Sequence, residues 1–175
     1  MSFITQVTIS IVIYYIMRIS MKSVRSLYTA SLIAAMSYVI IYLLTYDLIN
    51  LLPTLHFMVT GLSLLFIFIS YNEIIILERK VRKIKKGELV GFESFSVEKN
   101  YKIVFKLLGL GLIFLSFALL SGFSMQSIFT ANIIFKSLFT VIAWLIYVIT
   151  LVGIKYFNFP IKYATRSLFV AMWAV

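Results

Sequence analysis

Apolar residues fall in long unbroken runs along this chain, and charged residues collect in the gaps between them. Five runs, at 3–17, 27–46, 55–77, 103–123 and 133–154, approach or exceed the roughly 20 residues a helix needs to cross about 30 Å of hydrocarbon. The runs are continuous rather than alternating. They therefore predict helices, not the paired strands of about 10 residues that build a membrane barrel. The first run is short, but no basic segment precedes it and no small-residue cleavage site follows, so it reads as a helix rather than a signal peptide. A sixth run follows Arg166 and stops at Val175, too short to span; it predicts a partial helix over 167–175 and a chain that is either a piece of a longer protein or one that ends unusually early. The expected fold is all-α: one polytopic helical membrane bundle over 1–175, with five spanning helices and a partial sixth.

Composition sharpens this picture. The chain is 62% hydrophobic and 13% charged, where a soluble domain has roughly 45–50% apolar and about 25% charged residues. The net charge of +10 does not indicate nucleic acid, because the basic residues sit in short loops between apolar runs. The sequence has no cysteine, which excludes disulfides, thiol chemistry, Cys-ligated zinc and covalent haem attachment, but not non-covalent haem.

The placement of charge predicts orientation. Loop 18–26 carries Arg18, Lys22 and Arg25, and loop 155–166 carries Lys155, Lys162 and Arg166. Loop 78–102 carries eight basic and four acidic residues. Loops 47–54 and 124–132 contain no Lys or Arg, and their one charge is Asp47. Alternate loops are thus basic. By the positive-inside rule they are cytoplasmic, the N-terminus is outside, and His56 lies at the outer surface. The segment "ERKVRKIKKGE" at 78–88 anchors topology and attracts anionic lipid. Docking of a cytoplasmic partner is its other reading.

Few ionisable groups lie within the runs, and each is costly there and so a candidate for function. Glu73 and Lys106 are near the cytoplasmic face and are expected to snorkel towards it. Lys136, Thr140, Trp144 and Tyr147 follow spacings of 4, 4 and 3, which puts them on one helical stripe. That stripe suits a planar apolar ligand with an acidic edge. Spacing alone favours the plainer reading of an interfacial lysine above aromatics packed against other helices. His56, the only histidine, opens the third run. An imidazole there can be a helix-end residue or can bind metal or haem iron. The chain offers no second His and no Cys for a multi-ligand metal site, and no carboxylate is predictably placed for a hydrolytic triad.

Taken in order, these features resemble the cytochrome c assembly family of haem-handling membrane proteins, in its CcsA/YpjD-like branch. The segments that carry the resemblance run from Leu55 to Arg166: "LHFMVTGLSLL" opening a helix, "LERK" at 77–80 at its other end, "KIVFKLLGLGLIFLSFALLSG" with Gly111 and Gly122, and "KSLFTVIAWLIY" from Lys136 to Tyr147. The resemblance implies a bacterial inner-membrane protein that binds haem non-covalently near the outer face during cytochrome c maturation. It implies His56 as an axial ligand to haem iron, Lys136 pairing a propionate, and Thr140, Trp144 and Tyr147 lining the macrocycle. Other assembly proteins and membrane lipid are the implied partners. The chain departs from the family pattern at its second histidine, where 152–154 read Val-Gly-Ile, and in the short segment 124–132, which has no tryptophan. A second axial ligand would then come from Met58, further helices, a partner chain, or nothing.

The functional expectation is accordingly a haem-handling assembly helper and not an enzyme. The alternative is a non-haem membrane partner or regulator, of haem biosynthesis or a neighbouring transporter, acting through the basic loop. A permease is disfavoured, since the sequence has no inverted halves around broken helices.

Overall fold

The computed structural model describes residues 2–21, 25–45, 51–87, 93–125, 131–157 and 161–174. These form six helices: α1 (Phe3–Ser20), α2 (Arg25–Thr45), α3 (Leu51–Lys85), α4 (Glu93–Met125), α5 (Ala131–Phe157) and α6 (Ile161–Ala174). No strand occurs among the described residues. Helices α1 to α5 are long and apolar enough to cross a membrane. At about 1.5 Å per residue, the 14 residues of α6 reach only some 21 Å and fall short.

Successive helices run antiparallel. Gln6 near the start of α1 bonds Thr45 at the end of α2 (2.6 Å). Ser63 of α3 reaches the Gly111 carbonyl of α4 (3.4 Å), and Trp144 of α5 donates to Ser116 of α4 (2.8 Å). Thr150 of α5 meets Ser167 of α6 (2.8 Å). α1 runs parallel to α3, with Phe3 beside Phe57 near one end and Tyr14 bonded to Glu73 nearer the other. The bundle thus has one end rich in Lys and Arg and one nearly neutral end.

α3 is the central element. Leu62, Leu65, Phe66, Ile67, Ile69 and Ile74 are all buried, and between them they cover rather more than half of the helix circumference. So wide a buried arc needs several neighbours, and α1, α2, α4 and α6 each pack on it. The outer helices bury one face only. α5 turns Phe135, Leu138, Phe139 and Ile149 outwards, each more than half exposed. Such a surface is stable in hydrocarbon, not in water.

Many polar side chains are satisfied within the bundle. Ser31 and Thr150 donate to carbonyls four residues back (2.7 Å each). Pro53 occupies the first turn of α3, where its missing N–H costs least. Just beyond it, Tyr42 and Tyr38 of α2 donate to the carbonyls of Thr54 (3.0 Å) and Phe57 (3.2 Å). These bonds fix α2 against α3 and require close approach: a Cβ on Gly61 would run into the Tyr38 phenol.

The structure moves several expected boundaries. α3 continues to Lys85 rather than ending at 77, and α4 begins at Glu93 rather than 103. Most of the expected loop 78–102 is therefore helical. A helix satisfies its own backbone, so leaving the apolar layer does not end it, and Glu78 pairs with Arg82 one turn on. α3 ends beside Gly87, whose φ of 73° suits glycine. α6 likewise begins at Ile161 instead of 167. Lys22, Asp47, Glu88 and most of 124–132, which entered the charge reading, lie outside the described residues, as do the side chains of Arg25, Glu93, Glu98, Lys155 and Lys162.

Replacing Gly61 by Ala is expected to cost about 1–3 kcal/mol through the forced movement of Tyr38. Gly109→Ala, where a Cβ meets nothing within 4 Å, should be neutral or stabilising. Unfolding of the two variants in mixed micelles with increasing SDS would check this, and equal stability would show that Tyr38 shifts freely.

Candidate functional site

Two clusters of polar side chains lie within the spanning helices. The first joins α1 to α3. The inward stripe of α1 is Gln6, Ser10 and Tyr14, all buried, followed by partly buried Arg18, each four residues after the last. Tyr14 donates its hydroxyl to Glu73 Oε1 at 2.5 Å, and Arg18 Nε donates to the same oxygen at 3.1 Å. Glu73 is only 2% exposed. The expectation that Glu73 snorkels is therefore corrected. Its helix turns it into the bundle, and the carboxylate is held by a phenol and a guanidinium. Arg18 is also no loop residue but belongs to the last turn of α1. Lys106 does lie on the exposed surface of α4.

Sequence reasoning missed this cluster because hydropathy averages over a helix and hides the face a residue occupies. The signal was the four-residue repeat of polar side chains from Gln6 to Arg18 inside an apolar run. Nearby interior groups are less completely served: Gln6 Oε1 and Ser70 Oγ make no hydrogen bond.

The second cluster lies at the neutral end and contains His56. Its Nδ1 is 2.9 Å from Ser121 Oγ on α4. Ser121 has one hydroxyl proton, and its backbone partners are the carbonyls of Phe117 (2.8 Å) and Ala118 (3.1 Å). In the Nδ1–H tautomer the serine accepts from the ring while its own proton goes to the backbone; in the other it donates to Nδ1. In the first case Nε2 carries the ring's lone pair. The residue as a whole is partly exposed. Gly122 permits this placement, since a Cβ there would stand 3.2 Å from His56 Cε1. Met58, two residues on, is about 200° round the helix and packs on the core, so it cannot share a ligand atom with His56.

The Lys136–Tyr147 stripe lies on α5. Trp144 bonds Ser116, and Tyr147 is wholly buried against Gly111, its hydroxyl without a hydrogen-bond partner. Its oxygen stands 3.0 Å from where a Gly111 Cβ would be, close to Phe66 and Ile67 of α3. Trp144 and Tyr147 thus pack into the α4 contact, as aromatics between helices do. Thr140 is part-buried one turn before Trp144, and the side chain of Lys136 lies outside the described residues. The structure brings Trp144 and Tyr147 together on α4 and places His56 on another part of that helix. Among the described residues no three His, Cys, Asp or Glu side chains converge as a metal set would.

Five apolar spans, one of them the central α3, make this a polytopic helical membrane protein. Comparison with family models, with curated proteins and with solved structures gave no match.

Removing either charge of the Arg18–Glu73 pair strands the other in or near hydrocarbon. Arg18→Leu and Glu73→Leu are each expected to destabilise by about 2–4 kcal/mol, the lower part reflecting the partial exposure of Arg18. The double variant should lose less than the sum by about 1 kcal/mol or more. SDS-driven unfolding of all four proteins tests this, and strict additivity would show that the two groups act separately.

Proposed function

We propose that the protein binds haem non-covalently at the neutral end of the bundle, with His56 Nε2 as the single axial ligand from this chain, and that it serves cytochrome c assembly as a non-enzymatic carrier or holder. The observation that supports this most is the contact of His56 Nδ1 with Ser121 Oγ at 2.9 Å. A ligating histidine commonly donates its other ring N–H to a second group, which orients the ring and raises its basicity. Ser121 and the α4 backbone stand in that position for His56. Haem iron accepts a neutral imidazole of this kind, and the apolar outer surfaces of α3 and α4 near His56, including Leu55 and Leu120, suit a macrocycle edge. The assembly role itself rests on the resemblance of the 55–166 segments. The remaining coordination and enclosure would then come from an assembly partner or further helices, because Trp144 and Tyr147 are committed to α4. In this reading the basic end faces the cytoplasm of a bacterial inner membrane, and His56 faces outwards.

A second reading draws on the other end. The extension of α3 past its apolar stretch carries Arg79, Arg82, Lys83 and Lys85 exposed on a continuous helix. A helix so charged suits an acidic cytoplasmic partner, as a regulator without haem would need.

Titration of the detergent-purified protein with haem, followed by visible absorption, separates the two. Wild type should develop a shifted Soret band, His56→Ala should lose it, and Ser121→Ala should weaken binding by about tenfold. Identical spectra for wild type and His56→Ala at every haem level would reject the haem reading. Charge reversal at Lys83, Lys85 and Lys86 should then abolish partner copurification if the second holds.

A further inference from the structure

A groove opens on the lipid-facing side where α6 meets α5. It encloses about 380 Å³ and is walled by Ile146, Ile149 and Val170, with Tyr163 and Arg166 on its α6 side. The Thr150–Ser167 hydrogen bond forms part of its lining and consumes the polar groups there. Arg166 also borders a second cavity, of about 430 Å³, on the α3 side of α6. It is exposed and makes no ion pair or hydrogen bond among the described residues. The carboxylate that α3 sends to α6, Glu78, is occupied by Arg82 and by Thr165 (3.0 Å).

We infer that this groove is a binding site for one anionic phospholipid, its phosphate on Arg166 and an acyl chain along Ile149, Ile146 and Val170. The order of the residues fits that orientation. α6 enters from the basic end, so Tyr163 and Arg166 lie nearer the membrane surface. Val170 is one turn deeper, about 6 Å further along. α5 runs the opposite way, so Ile149 and then Ile146 lead in the same direction. A guanidinium gives a phosphate two parallel hydrogen bonds, and a tyrosine at headgroup depth sets one polar and one apolar end. Arg166 would otherwise present an unpaired charge beside apolar walls. An anionic headgroup supplies the missing counter-charge and the chain covers the walls. The inference is independent of the haem reading, since it uses the opposite end of the bundle.

The test is lipid retention. The full chain is reconstituted in vesicles of mixed phosphatidylcholine and phosphatidylglycerol, extracted gently, and weighed with its bound lipid by native mass spectrometry. Phosphatidylglycerol should be retained in excess over phosphatidylcholine. Arg166→Gln should reduce that excess about tenfold, and Arg166→Lys should keep part of it. Ile149→Trp, at a position already facing lipid, should fill the groove and cause a similar loss without altering charge. Lys106→Gln, which removes an exposed charge elsewhere, should change nothing. Equal retention of the two lipids overturns the proposal, as does an equal loss in Lys106→Gln. Loss in Arg166→Gln but not in Ile149→Trp also overturns it, because the lipid would then sit outside this groove.

Discussion

Hydrocarbon offers a carboxylate no water, so Glu73 can occupy the interior only where the chain itself supplies donors. Tyr14 and Arg18 do so from α1, and their bonds fix α1 beside α3 and parallel to it. α2 must then return antiparallel to both, and Gln6–Thr45 closes that hairpin near the neutral end. Dispersion between apolar helices cannot set such a register, because lipid tails would satisfy the same surfaces. The polar contacts are few, and for that reason they decide which faces meet.

The same constraint governs the rest of the bundle. Serine and threonine hydroxyls turn back to their own helices, and two tyrosines of α2 use the carbonyls near the start of α3. Gly61 makes room for one of those tyrosines and Gly111 for Tyr147. Glycine serves here as a place where a phenol can enter a helix contact. α3, covered by four neighbours, acts as the common support. It is also the element that carries His56 at one end and the basic extension at the other.

The two ends consequently differ in kind. At the neutral end an imidazole meets a serine of α4, the contact on which the haem proposal draws. At the basic end, Arg18 and Arg82 are paired with carboxylates, and Arg166 stands beside a groove. Haem binding and lipid binding, both proposals, would use separate surfaces and need not compete.

The sequence by itself determined the class and the number of spans. Continuous apolar runs can only be helices in a membrane, and each run became one, because the backbone must satisfy itself wherever water is absent. It also determined that Lys136, Thr140, Trp144 and Tyr147 share a stripe. Helical spacing could not say what that stripe faces, and packing gave Trp144 and Tyr147 to α4. Boundaries were less legible, since charged residues continue a helix as readily as apolar ones and only Gly87 marks where α3 stops. Glu73 was read as a surface group because its depth was known and its direction was not. Direction is set by the neighbours a helix acquires. The meeting of Tyr14, Arg18 and Glu73 across more than fifty residues is therefore a decision of the tertiary structure alone.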